Sequence, residues 1–188
     1  LEAGKASGPF KAALAQAAAQ DGFGVIALDV FGDADTRCAA SQWRSIGAPA
    51  TEGGWRIDDG LLLEALSELA RADRAQGWIV GAGFEARADL IEQGARRLPL
   101  IGNGAATLRR LRDARSFFEA LDAHGVAHPP VRLEWPDDAS GWLLKDFAGS
   151  GGAQVQRAQG LPRRALSATQ VLQQERHGAT PMSATFIA

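Results

Sequence analysis

The chain has 188 residues, a formal net charge of −2 and 46% hydrophobic residues, enough for a folded core and without the basic excess that marks a nucleic-acid binder. No apolar run approaches the roughly 20 residues that cross a bilayer, and no basic block precedes an apolar stretch near the start, so neither a membrane span nor a signal peptide is expected. Cys38 is the only cysteine, which excludes an intrachain disulfide, points to a reducing cytoplasm, and reads as a small packing residue rather than a nucleophile.

In chain order, Ser7-Gly8-Pro9 opens an alanine-rich helix over Phe10 to Gln20, closed by Gly22 and Gly24. Val25 to Val30 is a short apolar run suited to a strand buried on both faces. Asp33 to Trp43 reads as a short helix and Pro49 to Gly54 as a loop. Asp58 or Asp59 caps an amphipathic helix carrying Leu62, Leu66 and Leu69. Trp78 to Val80 is a strand, Gly81-Ala82-Gly83 a turn, and about Glu85 to Arg97 a helix. Leu98 to Ile101 is a further strand, ended by Gly102-Asn103-Gly104. This alternation predicts a Rossmann-like parallel sheet with helices on both faces over residues 1–104.

The pattern then changes. Thr107 to His124 reads as one or two helices with Leu108, Leu111, Phe117, Phe118 and Leu121 on one face, ended by Gly125, so that residues 105–128 form a helical linker. Past Pro129-Pro130 come short strands: Val131 to Leu133, Trp142 to Phe147, Ala153 to Arg157, Val171 to Glu175 and Met182 to Ile187. Their glycine-rich and polar connections predict an antiparallel sheet in an α+β lobe over 129–188. The fold class is therefore α/β, a parallel-sheet domain followed by an antiparallel one.

The chemistry concentrates in Trp142 to Gly152. Arginine occurs 17 times and lysine only at Lys5, Lys11 and Lys145, so a lysine inside an apolar strand invites a specific explanation. Lys145 would pack its stem against the strand and bring its ammonium to the strand edge. Gly149, Gly151 and Gly152, around Ser150, permit a loop whose backbone N–H groups cradle an anion. The spacing is not that of the Gly-Lys-Ser/Thr phosphate loop, and a plain hairpin with a snorkelling lysine reads the same residues equally well.

Context favours the phosphate reading, because at this point the chain resembles the ATP-grasp superfamily. Leu100-Ile101-Gly102-Asn103 is similar to its end-of-domain turn. Ser116 to Pro130, with Phe117, Leu121, Gly125-Val126 and Pro129, resembles its linker. Gln173-Gln174-Glu175, with Gly178 and Ser183, resembles the hinge strand whose backbone holds adenine. The resemblance implies that ATP is bound by Lys145, Gly149, Ser150, Gly151, Gly152, Gln174, Glu175 and Arg176, with Lys145 also the catalytic group. No second lysine opens the linker helix, so Arg112 or Arg115 would substitute, Arg112 being the residue assigned. The family's proline after the strand lysine is Asp146 here. Its magnesium-binding acids and asparagine lie in a later stretch, expected beyond Ala188, so the lobe is expected to be incomplete at its C-terminus and the chain alone to be inactive.

Ser7-Gly8 before an alanine-rich helix, followed by Asp29-Val30-Phe31-Gly32-Asp33-Ala34-Asp35-Thr36-Arg37, resembles a subgroup linked to tetrahydromethanopterin-dependent one-carbon metabolism. The second substrate is then expected on the strand ends of the first domain, at Ser7, Gly8, Asp29, Asp33, Gly81 and Glu85. Open parallel sheets bind ligands at such ends, and helix N-termini there favour anionic groups. Helix capping at Asp33 or Asp35 is the competing reading. No metal set is assigned: His124, His128 and His177 are scattered and lack cysteine partners. The implied activity is an ATP-dependent carboxylate–amine or carboxylate–thiol ligase using magnesium and working through an acyl phosphate. Its partners would be a small-molecule carboxylate and a nucleophile, with a homodimer as the candidate assembly and no nucleic acid or membrane. The alternative is a non-catalytic nucleotide or small-molecule binding module on the same fold. A dehydrogenase is disfavoured because Gly81-Ala82-Gly83 supplies only half of the dinucleotide fingerprint.

Overall fold

The computed structural model describes residues 8–51, 54–149, 154–176 and 178, with side chains from residue 13 onward. The chain divides into two compact units, Leu1–Arg109 and Arg110–Ala188. The division falls inside the segment expected to form the linker.

In the first unit, α1 (Gly8–Gln20) leads into β1 (Ile26–Asp29) and α2 (Ala34–Ala39). The expected helix over Asp33 to Trp43 stops early. Ser41 turns back to donate its N–H to Val25 O (2.9 Å), and β2 (Gln42–Ser45) pairs in parallel with β1. Trp43 packs the turn: its indole lies against Gly32 and under the guanidinium of Arg37, 4.1 Å from the ring centre. Gly32 has φ +61, and a Cβ there would fall 2.3 Å from the indole. The Pro49 to Gly54 segment is the turn of a hairpin rather than a plain loop. It joins β3 (Gly47–Pro49) to β4 (Trp55–Ile57), whose Ile57 is buried in the core.

The capped helix appears where expected, as α3 (Asp59–Arg71), with Asp58 Oδ1 accepting the Leu61 N–H at 3.0 Å. Leu62 and Leu66 are buried on its inner face, while Leu69 lines an open groove between the helix and β1–β2. The next helix, α4 (Ala88–Ala95), begins later than Glu85 because Phe84 is drawn into the core beside Trp78, ring centres 6.0 Å apart. The strands expected at Trp78 to Val80 and Leu98 to Ile101 are reduced to a parallel bridge between Trp78 and Leu100, held by Trp78 N–H to Pro99 O and Ile101 N–H to Trp78 O. Parallel pairing is thus present, in shorter pieces than the apolar runs suggest. α5 (Ala105–Arg112) runs across the division between the units.

The second unit begins its own packing with α6 (Ala114–Ala123), capped by Asp113 Oδ1 on the Ser116 N–H (2.8 Å). It ends at Gly125, φ +65, where Val126 N–H bonds Leu121 O and Gly125 N–H bonds Asp122 O. That pair of bonds is the Schellman arrangement, which needs a left-handed residue at this position. The sheet contains β5 (Val131–Arg132), β6 (Trp142–Asp146), β7 (Gln156–Arg157) and β8 (Gln170–Gln174) in the order β5-β8-β6-β7, antiparallel throughout. Side chains alternate between its faces. Leu144 and Leu172 pack with Trp135, Trp142 and Leu161 on one face, and Val171 packs with Phe118 and Phe147 on the face that α6 covers. The strand expected at Met182 to Ile187 lies outside the described residues.

Candidate functional site

The register of β6 on β8 decides what its two charged residues do. Lys145 stands opposite Val171 and Asp146 opposite Gln170. Residues facing each other across an antiparallel ladder share a face, and successive residues do not. Lys145 therefore lies on the face carrying Val171, Phe118 and Phe147, and Asp146 lies on the other. The two charges are neighbours in sequence and separated by the sheet. Burial alone pushes the Lys145 ammonium below the ordinary lysine range, with no acid among the described residues acting on it. It is half-buried, so its stem is packed as the apolar strand suggested.

Asp146 is committed to its own turn. Its Oδ1 accepts the Thr169 hydroxyl at 2.7 Å and the Ala148 N–H at 2.9 Å, and its Oδ2 accepts the Gln170 amide at 3.1 Å. Burial raises its pKa, but the bonds from Thr169, Ala148 and Gln170, with Arg164 nearby, outweigh that and hold the carboxyl below its ordinary range. Asp146, which stands where the resemblance has a proline, therefore builds the base of the turn. Neither Thr169 nor Gln170 was singled out from the sequence. The alternation Leu144, Lys145, Asp146 carried a usable signal, since it sends Asp146 to the side away from the lysine.

Arg112 reaches the same turn from α5. Its Nη1 donates to Phe147 O and, at 3.0 Å, to Gly149 O. Gly149 is approached closely by Gln154, whose Oε1 lies 1.9 Å from where a Cβ would stand. Ser150, Gly151 and Gly152 lie outside the described residues. On the neighbouring strand, the Gln174 N–H bonds Pro130 O at 2.9 Å and the Glu175 N–H bonds Gly141 O at 2.8 Å. The Glu175 carboxylate accepts from Arg157 at 3.2 Å, and Arg176 is exposed.

In the first unit, the described residues assigned to the second substrate are spread over the start of α1, the end of β1 with the turn after it, and the connection before α4. Asp29 is 3% exposed and its Oδ2 accepts the Gly32 N–H at 3.0 Å, closing the turn after β1. Asp33 occupies the N-cap position of α2 without a side-chain capping bond. Glu85 Oε2 accepts the Gly83 N–H at 2.8 Å, and Gly81 is half-buried in the same connection. The Gly83 N–H was expected to open a helix toward an anion; it is instead held by Glu85, and the helix starts at Ala88. Gly8 is the first residue of α1, and Ser7 lies outside the described residues. Among the described residues no three His, Cys, Asp or Glu side chains converge on a cation site.

This combination, short parallel pairings with helices followed by a four-stranded antiparallel sheet, is similar in fold to part of solved biotin carboxylase structures. The chain is 15% identical to the biotin carboxylase domain of Hydrogenobacter thermophilus 2-oxoglutarate carboxylase, a structure in complex with MgADP, ADP and bicarbonate; the TM-score is 0.60, over 89% of this chain and 42% of that one. It is 14% identical to Campylobacter jejuni biotin carboxylase in complex with β,γ-ATP, with a TM-score of 0.58 over 89% of this chain and 43% of that one. It is 17% identical to Rhizobium etli pyruvate carboxylase with the allosteric activator acetyl coenzyme A, with a TM-score of 0.61 over 88% of this chain and 17% of that one. The chain thus spans less than half the length of these proteins. At such identities the likeness is one of fold. No family model matches the chain, and no curated protein does.

Proposed function

We propose that this chain is the front part of an ATP-dependent ligase that activates a carboxylate as an acyl phosphate, and that Lys145 holds the nucleotide's phosphates. The observation that carries this reading is Lys145 itself: a half-buried ammonium on which no acid among the described residues acts, next to a turn whose backbone is held by charged side chains. A desolvated cation kept without a counter-ion is costly unless an anionic ligand arrives to pair with it. Its role would be electrostatic, stabilising charge on the transferring phosphoryl group. The fold shared with nucleotide-bound biotin carboxylase domains supports ATP and magnesium as the cofactors. Gly149 to Gly152, Gln174, Glu175 and Arg176 would complete the nucleotide site, and the strand-end residues Ser7, Gly8, Asp29, Asp33, Gly81 and Glu85 would receive the second substrate.

The finer assignment, to tetrahydromethanopterin-linked one-carbon metabolism in the cytoplasm, rests on the Ser7-Gly8 and Asp29 to Arg37 patterns; a homodimer belongs to the same proposal. Among the described residues no helix is long and apolar enough to cross a membrane. Calorimetry with MgATP, ADP and NAD on the full-length protein tests the reading. Wild type should bind MgATP and not NAD, and Lys145→Ala should weaken MgATP by about 10–150-fold, the worth of one charge-assisted contact. Equal affinity of both forms would sink it.

One observation favours a second reading, a binding module without catalysis. Arg112, the candidate to replace the second lysine, spends its Nη1 on two loop carbonyls. MgATP binding without phosphoryl transfer to any carboxylate would decide for that reading.

A further inference from the structure

The turn that follows Lys145 accounts for nearly all of its backbone polar groups. Phe147 N–H bonds Thr169 O at 2.8 Å, and Gly149 N–H bonds Asp146 O at 3.2 Å. The peptide unit between Phe147 and Ala148 is treated differently from these. Its carbonyl accepts from the Arg112 guanidinium, and its N–H donates to the Asp146 carboxylate. A trans peptide is a planar dipole with C=O and N–H pointing in opposite directions. Here the negative end faces a cation and the positive end faces an anion. Rotating that plane by half a turn would set the carbonyl against the carboxylate and the N–H against the guanidinium, so the two charges select one orientation. The second Arg112 bond, to Gly149 O, fixes the next carbonyl but one in the same way.

We infer that Arg112 and Asp146 clamp the Phe147–Ala148 peptide from its two ends and are positioning residues for the polyphosphate site marked by Lys145. The inference rests on the nucleotide reading above for the ligand, and on the described hydrogen bonds alone for the clamp. Its consequence is a division of labour among charges. Asp146 faces away from the lysine and is satisfied by Thr169, Gln170 and Ala148, so it does not confront an incoming anion. Arg112, held by carbonyls, sets where the chain leaves the strand. Of these three charges, Lys145 is the one left to meet the phosphate. The residue types suit the tasks: the planar guanidinium can serve two carbonyls at once, and a carboxylate can accept three donors across its two oxygens.

The test uses amide hydrogen exchange read by NMR on the full-length protein without ligand, followed by MgATP titration. The variants are Arg112→Gln, shorter and neutral, and Asp146→Asn, isosteric and neutral, with Lys145→Met as the contrasting change. In the clamp variants, exchange at Ala148 and Gly149 should speed up by about tenfold or more, while the α6 amides stay as in wild type; a charge-assisted bond is worth a factor of that order. Their MgATP affinity should fall by roughly 5–30-fold with Lys145 intact. Lys145→Met should weaken MgATP binding by about 10–150-fold and leave Ala148 exchange unchanged. Unaltered exchange at Ala148 and Gly149 in both clamp variants overturns the clamp. Faster exchange with wild-type affinity overturns the positioning role. If wild type itself binds no MgATP, the nucleotide reading and the positioning role fall together, while the exchange data still decide whether the clamp exists.

Discussion

Replacing Lys145 by methionine should make the protein more stable and less able to bind a polyphosphate. Met keeps an unbranched stem of similar length, so the packing beside Val171 and Phe147 is preserved. What disappears is a half-buried ammonium whose pKa is pushed down by burial, with no acid among the described residues to offset it. Relief of a partial desolvation cost of this kind is worth about 0.5–2 kcal/mol. For a chain of this length that is roughly 1–8 °C in Tm. The pH dependence carries the sign. A lysine with a lowered pKa binds fewer protons in the folded state than in the unfolded one, so stability rises with pH between the folded-state pKa and the ordinary lysine value. Below that window the charged form is fully present and the cost is constant. The advantage of Lys145→Met should therefore be complete at neutral pH and shrink as the pH climbs through the window. Calorimetric unfolding at several pH values measures this. A variant less stable than wild type at neutral pH, or one whose alkaline slope matches wild type, refutes the reasoning.

Three further outcomes follow from local geometry. Gly32→Ala should cost roughly 2–4 kcal/mol, combining left-handed strain with a clash on the Trp43 indole, whereas Gly125→Ala, also left-handed but with nothing within 4 Å, should cost only about 1 kcal/mol; thermal denaturation of the two side by side checks the difference. His128 is held above the ordinary histidine range by the Pro129 carbonyl, which its Nδ1 faces at 2.8 Å, against burial and with help from Asp122. Its contribution to stability is fully present below the ordinary histidine pKa and lost as pH rises through the raised folded-state value, so His128→Gln should flatten that part of the stability–pH curve. Asp113→Ala removes the α6 cap and should cost about 1 kcal/mol by chemical denaturation.

The elements legible in the sequence were those whose signals are local. α3 announced itself by Asp58 and the Leu62–Leu66 spacing, α6 by its aromatic face and Gly125, and β6 and β8 by compact apolar runs. The missed elements are short and owe their existence to distant partners. β2 exists because Gln42 to Ser45 can lie beside β1, and nothing in those four residues alone distinguishes a strand from the end of a helix. The β3–β4 hairpin has three residues a side, too few for alternation to register. The start of α4 was displaced by Phe84, whose burial against Trp78 outweighs a continuous helix from Glu85. In the site, the rarity of lysine was visible, but the partners of Arg112 lie 35 and 37 residues away. No local pattern pairs an arginine with the carbonyls of a turn that far along the chain.

The composition bias acquires a physical reading once the site is drawn. With 17 arginines and three lysines, this chain places arginine wherever a cation must bridge acceptors of fixed geometry: Arg109 between Asp89 and Glu92, and Arg112 between Phe147 O and Gly149 O. A guanidinium suits those places because its donors are already arranged in a plane. It would suit position 145 poorly. There the side chain runs along an apolar strand face and ends in one compact charge. If Lys145 served only to cover the Val171 side of the sheet, an arginine stem would do as well, and Lys145→Arg would keep both stability and MgATP binding. The phosphate reading requires the opposite: a planar fork at the end of β6 should miss the single oxygen that a point charge reaches, and should lower MgATP affinity while the charge is conserved. A Lys145→Arg protein that folds as wild type and binds MgATP less tightly separates charge from shape at this position.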